Sequence, residues 1–386
     1  MAERSGDSSL DTDVLIIGAG PVGMTLALAL ADSPLRVTLI DRRSRGAWAD
    51  DPRALALAHG SRQLLERLRA WNASAGTAIR EIHVSQRGGF GRSLITSEDY
   101  GTPALGYVMR YRDLADALNA RVQPEQLIEN CTVDLIETGC EDAIVTVNHE
   151  GNTRCITARL VVHAEGTPQN GPDIKVHEYG QHALIAEVRP AEPHNNRAWE
   201  RFTADGPLAL LPIGPDYAVV CTVPPEKAEH LLGLDDQGFL AALRQQFGQR
   251  IDFISTGPRA SYPLSLRLRP QITQRRQAWI SNAAQALHPV TGQGFNLGLR
   301  DAWELAEILH THTDAGDPAA LAAYARGRRI DRRGSMAFTD SIVRLFSNDV
   351  PPLKLVRGLG LLALDLAPPL RHFVAKRMIW GARAWP

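Results

Sequence analysis

A glycine-rich turn near the N-terminus is the feature that most limits how this chain can fold. An apolar run from Asp13 leads into the turn, and Pro21 to Ala31 has the alanine and leucine content of a helix packed closely on a sheet. A second strand, Arg36 to Ile40, follows. This strand–helix–strand order predicts a right-handed parallel unit of an α/β fold. The turn carries three glycines at fixed spacing, Gly18, Gly20 and Gly23.

These glycines have separate duties in a dinucleotide site. The first makes the tight turn, the second leaves room for a pyrophosphate, and the third lets the helix pack on the strand. Pro21 and Val22 open the helix, whose free N–H groups and positive dipole end favour phosphate. Asp41, at the end of the second strand, is placed to accept hydrogen bonds from ribose hydroxyls. Arg42 and Arg43 would suit a 2′-phosphate, so this motif alone leaves NADP open beside FAD.

Composition narrows the class of protein. The 386 residues suit about two domains, and a formal charge of −1 from 42 basic and 43 acidic residues argues against a nucleic-acid partner. The polar N-terminus and the lack of an apolar run of about 18 residues predict a cytoplasmic chain that does not span a membrane. The cysteines lack metal-site spacing, so we expect no metal and interpret them as reduced, buried side chains. They are Cys131, Cys140, Cys155 and Cys221.

The middle of the chain predicts a second sheet. Two of its strands, Leu208 to Pro212 and Tyr217 to Val223, are joined by a Gly-Pro-Asp turn and predict a hairpin. A cofactor-like segment follows this region, so we expect two domains that interleave in sequence. Further strands are predicted at 143–147, 156–164 and 182–188, and helices at 60–71 and 111–122.

A second constellation runs from Ser281 to Asp301. A strand ends at Asn282, and a Gly292-Gln-Gly294 turn then opens a long helix, so backbone N–H groups converge where an anion would be favoured. Reduced flavin, with negative charge near N1 and O2, fits such a site, and Asn282 can hydrogen-bond a ribityl chain. This makes FAD the better interpretation than NADP. For His288 we favour a scaffold role over a base, and for Phe295 a place in the core.

These motifs resemble class A flavoprotein monooxygenases, and among them the 2-polyprenyl-6-methoxyphenol hydroxylases of ubiquinone biosynthesis, the UbiH type. The resemblance implies an α/β fold like that of p-hydroxybenzoate hydroxylase, with a Rossmann-like FAD-binding domain interleaved with a mixed β-sheet substrate domain. It rests on the Gly18 turn and on segments 51–61, 107–114, 200–203, 206–212, 261–264 and 282–301. The implied division is an FAD-binding domain at 10–72, 101–178 and 263–340, a substrate domain at 73–100 and 179–262, and a helical C-terminus at 341–386.

The resemblance also implies roles for individual residues. Arg53 and Arg112 would contact FAD, the turn from Gln293 to Asn296 would lie at the flavin ring, and Pro289 would shape the ring pocket. The complete set of predicted cofactor-binding residues is Gly18, Gly20, Pro21, Val22, Gly23, Asp41, Arg42, Arg53, Arg112, Glu165, Gly166, Asn282, Pro289, Gly292, Gln293, Gly294, Phe295 and Asn296.

Two segments depart from the general class A pattern. Where most members have Asp-Gly followed by Ser and Arg, this chain has Glu165-Gly166-Thr-Pro-Gln-Asn-Gly171, and the longer glutamate displaces the carboxylate. This leaves contact with the nicotinamide donor open. The chain also has Ser281-Asn282 in place of Gly-Asp, but Asn-Ala-Ala-Gln-x-Leu-His-Pro is the form of the UbiH type.

By this resemblance NAD(P)H reduces FAD, and a flavin C4a-hydroperoxide formed with O2 passes oxygen to a polyprenylated phenol. Such chemistry needs a pocket that excludes water. Its candidate walls are alternate residues of the hairpin, for which a core role is favoured, namely Leu208, Leu210, Pro212, Val219 and Cys221. No catalytic base is identified. Two alternatives stay open: a hydroxylase of a small soluble phenol, and a non-catalytic FAD-binding scaffold subunit of a quinone-synthesis complex.

The C-terminal segment, Pro351 to Pro386, combines apolar residues with six basic residues and one acidic residue, a net charge of +5. It would either rest on an anionic bilayer at the inner face of the cell membrane or dock on the protein's own core. Its basic residues are Lys354, Arg357, Arg371, Lys376, Arg377 and Arg383.

Overall fold

The computed structural model describes residues 10–288, 292–346 and 351–380. The strands are β1 (Thr12–Ile17), β2 (Val37–Ile40), β3 (Ala54–Ala58), β4 (Thr77–Ile79), β5 (Glu81–Gln86), β6 (Arg92–Thr96), β7 (Gly106–Arg110), β8 (Leu127–Ile128), β9 (Cys131–Thr138), β10 (Ala143–His149), β11 (Asn152–His163), β12 (Lys175–Pro190), β13 (Arg197–Phe202), β14 (Pro207–Ile213), β15 (Asp216–Val223), β16 (Phe253–Thr256), β17 (Ala260–Leu268), β18 (Thr273–Gln274), β19 (Gln277–Trp279) and β20 (Gln285–Ala286). The helices are α1 (Pro21–Ala29), α2 (His59–Arg67), α3 (Tyr111–Asn119), α4 (Pro225–Gly233), α5 (Asp236–Phe247), α6 (Gln293–Leu309), α7 (Pro318–Phe346), α8 (Pro351–Leu366) and α9 (Pro368–Trp380).

The first sheet contains the predicted parallel unit. Strand β1 lies between β2 and β11 and is parallel to both, and the central order is β18-β19-β11-β1-β2-β8. Residues Leu15, Ile16 and Leu39 are buried because both faces of these strands are covered, as is usual for parallel sheets. The antiparallel strands β10 and β9 extend this sheet from β11. The predicted α/β class with a dinucleotide-type unit is confirmed.

The second sheet contains the predicted hairpin. Its strand order is β20-β17-β12-β15-β14-β13-β5-β6, with β16 paired to β12. The turn between β14 and β15 passes through Gly214, whose φ of +56° suits glycine. One face of the sheet packs on α4 and α5, and Leu208, Leu210 and Val219 are buried there. The core role favoured for these residues is therefore confirmed.

A small three-stranded sheet, in the order β3-β7-β4, joins the two large sheets. Strand β4 falls in the predicted substrate segment 73–100, yet it pairs with β7 of the predicted FAD-binding segment 101–178. Strand β20 pairs with β17 of the second sheet although it lies in the predicted FAD-binding segment 263–340. The sheets thus interleave along the chain, while the exact domain boundaries stay a prediction.

Helices α8 and α9 cover one edge of the second sheet. Gly91, the residue before β6, lies close to Gly358 of α8. A β-carbon on Gly91 would lie 2.5 Å from the Gly358 carbonyl oxygen. Ala375 and Ile379 of α9 are buried against Ile95 and Leu105. In the described part of the chain, no helix has both the length and the hydrophobicity needed to cross a bilayer.

Some local expectations are wrong. Of the cysteines expected to be buried, Cys140 and Cys155 are exposed, because Cys140 lies in the turn after β9 and Cys155 lies in the outer half of β11. Helix α2 ends at Arg67 instead of reaching residue 71, and Arg69 just beyond it has a φ of +55°, which a continuing helix cannot contain.

Candidate functional site

The glycine turn is packed so tightly that side chains are excluded from it. A β-carbon on Gly18, whose φ is +106°, would lie 2.7 Å from the carbonyl oxygen of Ala164 at the end of β11. A β-carbon on Gly23 would lie 1.9 Å from the Gly18 carbonyl oxygen. A β-carbon on Gly20 would meet only the Tyr111 hydroxyl, at 3.4 Å. The first and third glycines therefore hold strand and helix together, while the second leaves the turn open.

The N-terminus of α1 is free to bind an anion. Gly20 is its N-cap residue and supplies no side-chain hydrogen bond, and Pro21 follows at the first helical position. The remaining N–H groups of the first turn are left for a ligand, and the helix dipole favours negative charge there. Val22 is buried and lies 3.2 Å from the β-carbon position of Gly298 on α6. This contact joins α1 to α6, which carries the second constellation.

Asp41 lies beside the glycine turn. The Ala19 amide donates a hydrogen bond to Asp41 Oδ2 at 2.9 Å, and the Arg43 amide donates to Asp41 Oδ1 at 2.8 Å. A hollow opens next to this carboxylate, while Arg42 is exposed. The arrangement of a glycine turn, an open helix N-terminus and a carboxylate beside a hollow fits the ADP half of FAD. The hollow is lined by Ala19, Asp41, Arg43, Ser44, Arg45, Trp48 and Leu127.

The second constellation is held on α6 by Asp301. The Ser281 amide, at a residue with a φ of +56°, donates to Asp301 Oδ2 at 2.9 Å, and Gln285 Nε2 donates to the same oxygen at 2.8 Å. Asn282 is therefore presented at a fixed position, partly exposed, with its Nδ2 3.4 Å from Thr167 Oγ1. That contact brings the predicted ribityl-binding residue beside the Glu165 segment.

A buried ion network supports Asp301 from behind. Arg328, which is fully buried, donates to Asp301 Oδ1 at 2.7 Å, to Glu304 at 2.7 Å and to Asp331 at 2.6 Å. Burial opposes the charge of Arg328, but the three carboxylates outweigh it and raise the Arg328 pKa above its ordinary value. The sequence analysis did not identify this network, because Arg328 lies 27 residues after Asp301 in α7.

The turn at the start of α6 is fixed by Asn296. Its Nδ2 donates to the carbonyl oxygens of Gly292 and Ala56, both at 2.8 Å, and its Oδ1 accepts from the Ala58 amide and from Ser61 Oγ. The side-chain amide is thus fully occupied by protein partners. We therefore restrict the predicted cofactor contact of Asn296 to its backbone, because the side chain holds the turn itself.

The start of α6 has no side-chain cap, and its Gly294 faces open space. Gly292 is the N-cap of α6, has a φ of +59° and gives the helix no side-chain cap, and a β-carbon on Gly294 would meet nothing within 4 Å. The free N–H groups of α6 can therefore face the anionic edge of a reduced flavin. Phe295 packs on the main core, in the role favoured for it. The predicted residue Pro289 lies outside the described residues.

An apolar cavity of about 70 Å³ adjoins this turn. It is lined by Gly292, Gln293 and Asn296 on one side and by Ile82, Ile95 and Leu105 on the other, and Ala375 and Ile379 of α9 close it. The predicted walls Leu208, Leu210 and Val219 lie instead on the opposite face of the second sheet, against α4 and α5. The alternation of residues in the hairpin predicted that one face is buried, but it did not predict whether that face packs on α4 and α5 or borders the cavity.

The two predicted arginines are neighbours of Tyr111, whose hydroxyl borders Gly20. The Arg53 guanidinium pairs with both carboxylate oxygens of Asp51, at 2.8 and 2.6 Å, and stacks 4.4 Å above the Tyr111 ring that borders Gly20. Arg112, the next residue on α3, is exposed, with its Nε 3.7 Å from Asp113. A contact of either side chain with FAD stays a prediction.

The segment that differs from the class A pattern, Glu165 to Gly171, follows β11 directly. Glu165 is exposed, and its Oε1 lies 3.2 Å from Nδ1 of His163, which stacks on Trp279 at 4.5 Å. Gly166 has a φ of +96°. The segment thus lies beside the Gly18 turn, with the Glu165 α-carbon 2.8 Å from the β-carbon position of Gly18, and its contact with the cofactor stays a prediction.

His288 is buried among apolar groups at the end of the described part of this segment. Burial lowers the pKa of His288 to about 4, so the ring is neutral near pH 7. The Tyr179 ring meets it edge-on at 5.0 Å. A neutral, enclosed ring is consistent with the scaffold role favoured from the sequence.

Comparisons with known proteins agree with this geometry. A family model described as FAD binding domain matches residues 11–338. The ubiquinone hydroxylase UbiL of Rhodospirillum rubrum is 33% identical, over 99% of this chain and 92% of that protein. The 3-demethoxyubiquinol 3-hydroxylase of Escherichia coli is 26% identical, over 95% and 97% respectively. The structure of p-nitrophenol 4-monooxygenase PnpA from Pseudomonas putida shares the fold, with a TM-score of 0.78 over 96% of this chain and 98% of that one at 14% identity.

Proposed function

This chain belongs to the FAD binding domain family of flavoprotein monooxygenases, and on that premise we propose that it hydroxylates a polyprenylated phenol or quinol in ubiquinone biosynthesis. The family resemblance inferred from the motifs is confirmed, and FAD is the cofactor. The observation that carries the proposal is the apolar cavity beside the Gly292 to Asn296 turn, because a ring with an isoprenoid chain needs an apolar site next to the flavin.

The residues of the chain divide the work of such a reaction. Bound FAD, once reduced by NAD(P)H, supplies the electrons with which O2 is activated for transfer of one oxygen atom to the ring. The N–H groups at the start of α1 bind the pyrophosphate, and those at the start of α6 stabilise negative charge on the reduced ring. Ile82, Ile95 and Ile379 exclude water from the cavity, which protects the activated oxygen from wasteful decay.

The experiment is a coupled assay of the purified, FAD-loaded protein. It receives NADH or NADPH, O2 and a prenylated methoxyphenol, and the same phenol without its prenyl chain serves as the matched control. We expect faster NAD(P)H oxidation with the prenylated compound and a product one oxygen atom heavier. A preference for the unprenylated phenol would indicate a soluble substrate, and the absence of flavin reduction under every condition would favour a scaffold subunit.

A second experiment tests the place of the reaction in the cell. Quinone intermediates are extracted from cells that lack this protein and compared with those of the parent strain. Accumulation of a prenylated phenol or quinol one oxygen atom short of a later intermediate is expected. An unchanged profile would contradict the proposal.

We also propose that the outer face of α8 and α9 binds a membrane surface, where a polyprenylated substrate resides. Five of the eleven exposed large apolar side chains among the described residues lie on these two helices, and Leu366 and Phe373 are 71% and 56% exposed. On α8 they recur at three- and four-residue spacing, which places them on one helix face. The five are Leu359, Leu362, Leu366, Leu370 and Phe373.

The described charges contribute less to this contact than the net charge of +5 suggested. Arg357 is buried, and Arg371 lies 3.9 Å from Asp99, while Lys376 is exposed. The inner faces of both helices dock on the protein through Leu361 and Ile379. The segment thus packs on the core on one side and offers an apolar face on the other, so we expect binding by apolar insertion.

Vesicle flotation tests the membrane proposal. Leu366→Glu with Phe373→Glu should reduce co-flotation with anionic vesicles several-fold, while Ile254→Glu, at a side chain 65% exposed on β16, should not. Circular dichroism checks that each variant is folded. Equal flotation of all the variants and the wild type would contradict a membrane contact through these helices.

A further inference from the structure

Glu200 lies on the face of the second sheet that borders the cavity. On β13, Ala198 pairs with Ile82 of β5 and Glu200 pairs with Val84. Side chains of paired residues point to the same face, and those two residues apart along a strand share that face. Since Ile82 lines the cavity, Glu200 lies on the same face of the sheet, one side-chain position beyond the residues that line the cavity.

The paired neighbours of Glu200 on this face are apolar, and one oxygen of its carboxyl group is buried without a partner. Its paired neighbours on this face are Val84 and Ala209. Among the described residues, no donor reaches Glu200 Oε1, which is shielded from solvent, and the enclosed hydroxyl of Ser93, paired with Val84 on β6, has no partner either. Folded proteins rarely leave such groups unpaired, so two polar atoms without partners on the sheet face that borders the cavity indicate a missing ligand.

Burial alone shifts the ionisation of this carboxyl group. Desolvation raises the pKa of Glu200 to about 8, and no charged side chain contributes to the shift. The neighbouring strands place uncharged Val84 of β5 and Ala209 of β14 beside it, and Arg357 is a buried charged residue of the covering helix α8. The Glu200 carboxyl group therefore gains and loses its proton near pH 8, within the pH range in which enzymes operate.

A carboxylate of ordinary pKa is a poor base for a phenol. A phenolic hydroxyl of the tyrosine type has a pKa of about 10 and an ordinary glutamate one of about 4.3, so proton transfer between them is strongly uphill. A base with a pKa of about 8 closes most of that gap. The phenolate so formed is more electron-rich, which oxygen transfer to the ring requires.

We propose that Glu200 is the catalytic base that accepts the proton of the substrate's phenolic hydroxyl in the cavity. The phenolic O–H bond breaks, its electron pair stays on the oxygen, and a new O–H bond forms on the Glu200 carboxylate. No electron is exchanged in this step. The inference rests on the proposed hydroxylation of a phenol and identifies the residue that prepares the ring.

The test compares Glu200→Gln with Glu81→Gln. Glutamine keeps the size and hydrogen-bonding atoms of residue 200 but cannot take a proton, and Glu81 lies on the opposite face of the same sheet, paired with Arg197 at 2.6 Å. In the wild type and in Glu81→Gln, kcat/KM for a prenylated phenol should rise with pH to a plateau above about 8. In Glu200→Gln this rise should be absent and kcat should fall about 100-fold, within the usual range for general bases, with little change in KM or FAD content.

A second substrate separates catalysis from structure. A fluorinated phenol that is already ionised at the assay pH should narrow the difference between Glu200→Gln and the wild type from about 100-fold to about tenfold or less, because such a substrate no longer needs a general base. A purely structural role would reduce turnover of both phenols equally. Retention of the pH-dependent rise and of full kcat in Glu200→Gln would overturn the inference.

Binding spectra distinguish failure of the inference from failure of the proposed function. A fluorinated phenol with a pKa close to 8, bound at pH 8 to the oxidised, FAD-loaded wild type, should show the ultraviolet band of a phenolate, because its proton can then pass to Glu200 without a large free-energy cost, and this band should be weaker or absent with Glu200→Gln. If the wild type ionises the phenol but never hydroxylates it, the proposed function fails and the role of Glu200 stands. If the wild type hydroxylates the phenol and Glu200→Gln shows the same band, the role fails and the function stands. If the wild type neither binds nor hydroxylates the phenol, both are wrong.

Discussion

The nucleotide end and the substrate end of this site are built in opposite ways. At the nucleotide end, the Gly18 turn and Asp41 come from one stretch of about 25 residues, in which the glycines act through their backbone and small size and Asp41 acts through its carboxylate. At the substrate end, the cavity takes its walls from β3, β5, β6, α6 and α9, which are spread over the whole chain. The comparison teaches that a site for a cofactor shared by many proteins can be built from one local motif, whereas a site for a particular substrate is formed by the tertiary packing of distant segments.

The largest expected effect is at the nucleotide end, where Gly23→Ala would break the packing of α1. Its β-carbon would lie 1.9 Å from the Gly18 carbonyl oxygen, and a backbone atom inside a tight turn cannot move aside. We expect a loss of about 5 kcal/mol or more in the free energy of unfolding and loss of bound FAD. Urea denaturation and flavin absorbance measure both. Gly233→Ala, where a β-carbon meets nothing within 4 Å, is the matched control and should be nearly neutral.

The next effect concerns the support that joins the two ends. Asp301→Asn removes one carboxylate from buried Arg328 and weakens the bond to the Ser281 amide. Breaking a buried ion pair costs about 3–5 kcal/mol, so stability should fall by about that amount and FAD affinity with it. Thermal unfolding with and without added FAD gives both values. Unchanged stability would mean that Glu304 and Asp331 alone satisfy Arg328. The control is Glu307→Gln, at an exposed site on the same helix, which should leave stability unchanged.

At the substrate end, the comparison predicts a change that spares the cofactor. Ala375→Phe would fill the cavity from α9, where Ala375 is 2% exposed. We expect KM for a prenylated phenol to rise at least about tenfold, equivalent to about 1.4 kcal/mol, and unfolding stability to fall by about 1–3 kcal/mol from overpacking. FAD content should not change. Steady-state kinetics measure the first effect, and Leu370→Phe on the exposed face should leave KM unaltered.

The smallest expected effect is the acid sensitivity conferred by His288. Its pKa is about 4 in the folded protein and about 6.5 when unfolded, so the stabilisation from the neutral ring is complete above about pH 6.5 and is lost as pH falls through 4. Unfolding free energies between pH 7 and pH 4 should therefore fall less for His288→Gln than for the wild type, by about 1–3 kcal/mol. Parallel pH curves for the two proteins would show that another group governs acid stability.

Much of the fold follows from local patterns. The apolar run before Gly18, the turn at Gly214 and the helix after Gly292 are short-range features whose chemistry permits few alternatives, and the structure confirms the elements around them. Helix ends were harder: the left-handed conformation of Arg69 ends α2, although the apolar pattern continues to Trp71. Such an ending depends on backbone geometry that no residue type at that position requires.

The site was less predictable than the fold. Asn296 was selected for its place in a glycine-rich turn, but its side chain bonds to Ala56, Ala58 and Ser61, more than 230 residues away in sequence. Glu200 was visible only as part of a family motif, because a glutamate in a strand is usually a solvated charge. The roles argued for Asn296 and Glu200 depend on burial and on strand register, and a local sequence pattern predicts neither.

The sequence by itself predicted a nucleotide site at the Gly18 turn, because glycines at this spacing let backbones approach closely and a helix N-terminus offers unpaired N–H groups to phosphate. The tertiary structure alone decided which face of the second sheet borders the cavity. Alternation along a strand shows that two faces differ, but which of them meets α4 and α5 and which meets α6 and α9 depends on how distant segments pack. The predicted nucleotide site is thus formed by one local turn, and the proposed substrate site is formed by segments spread over the whole chain.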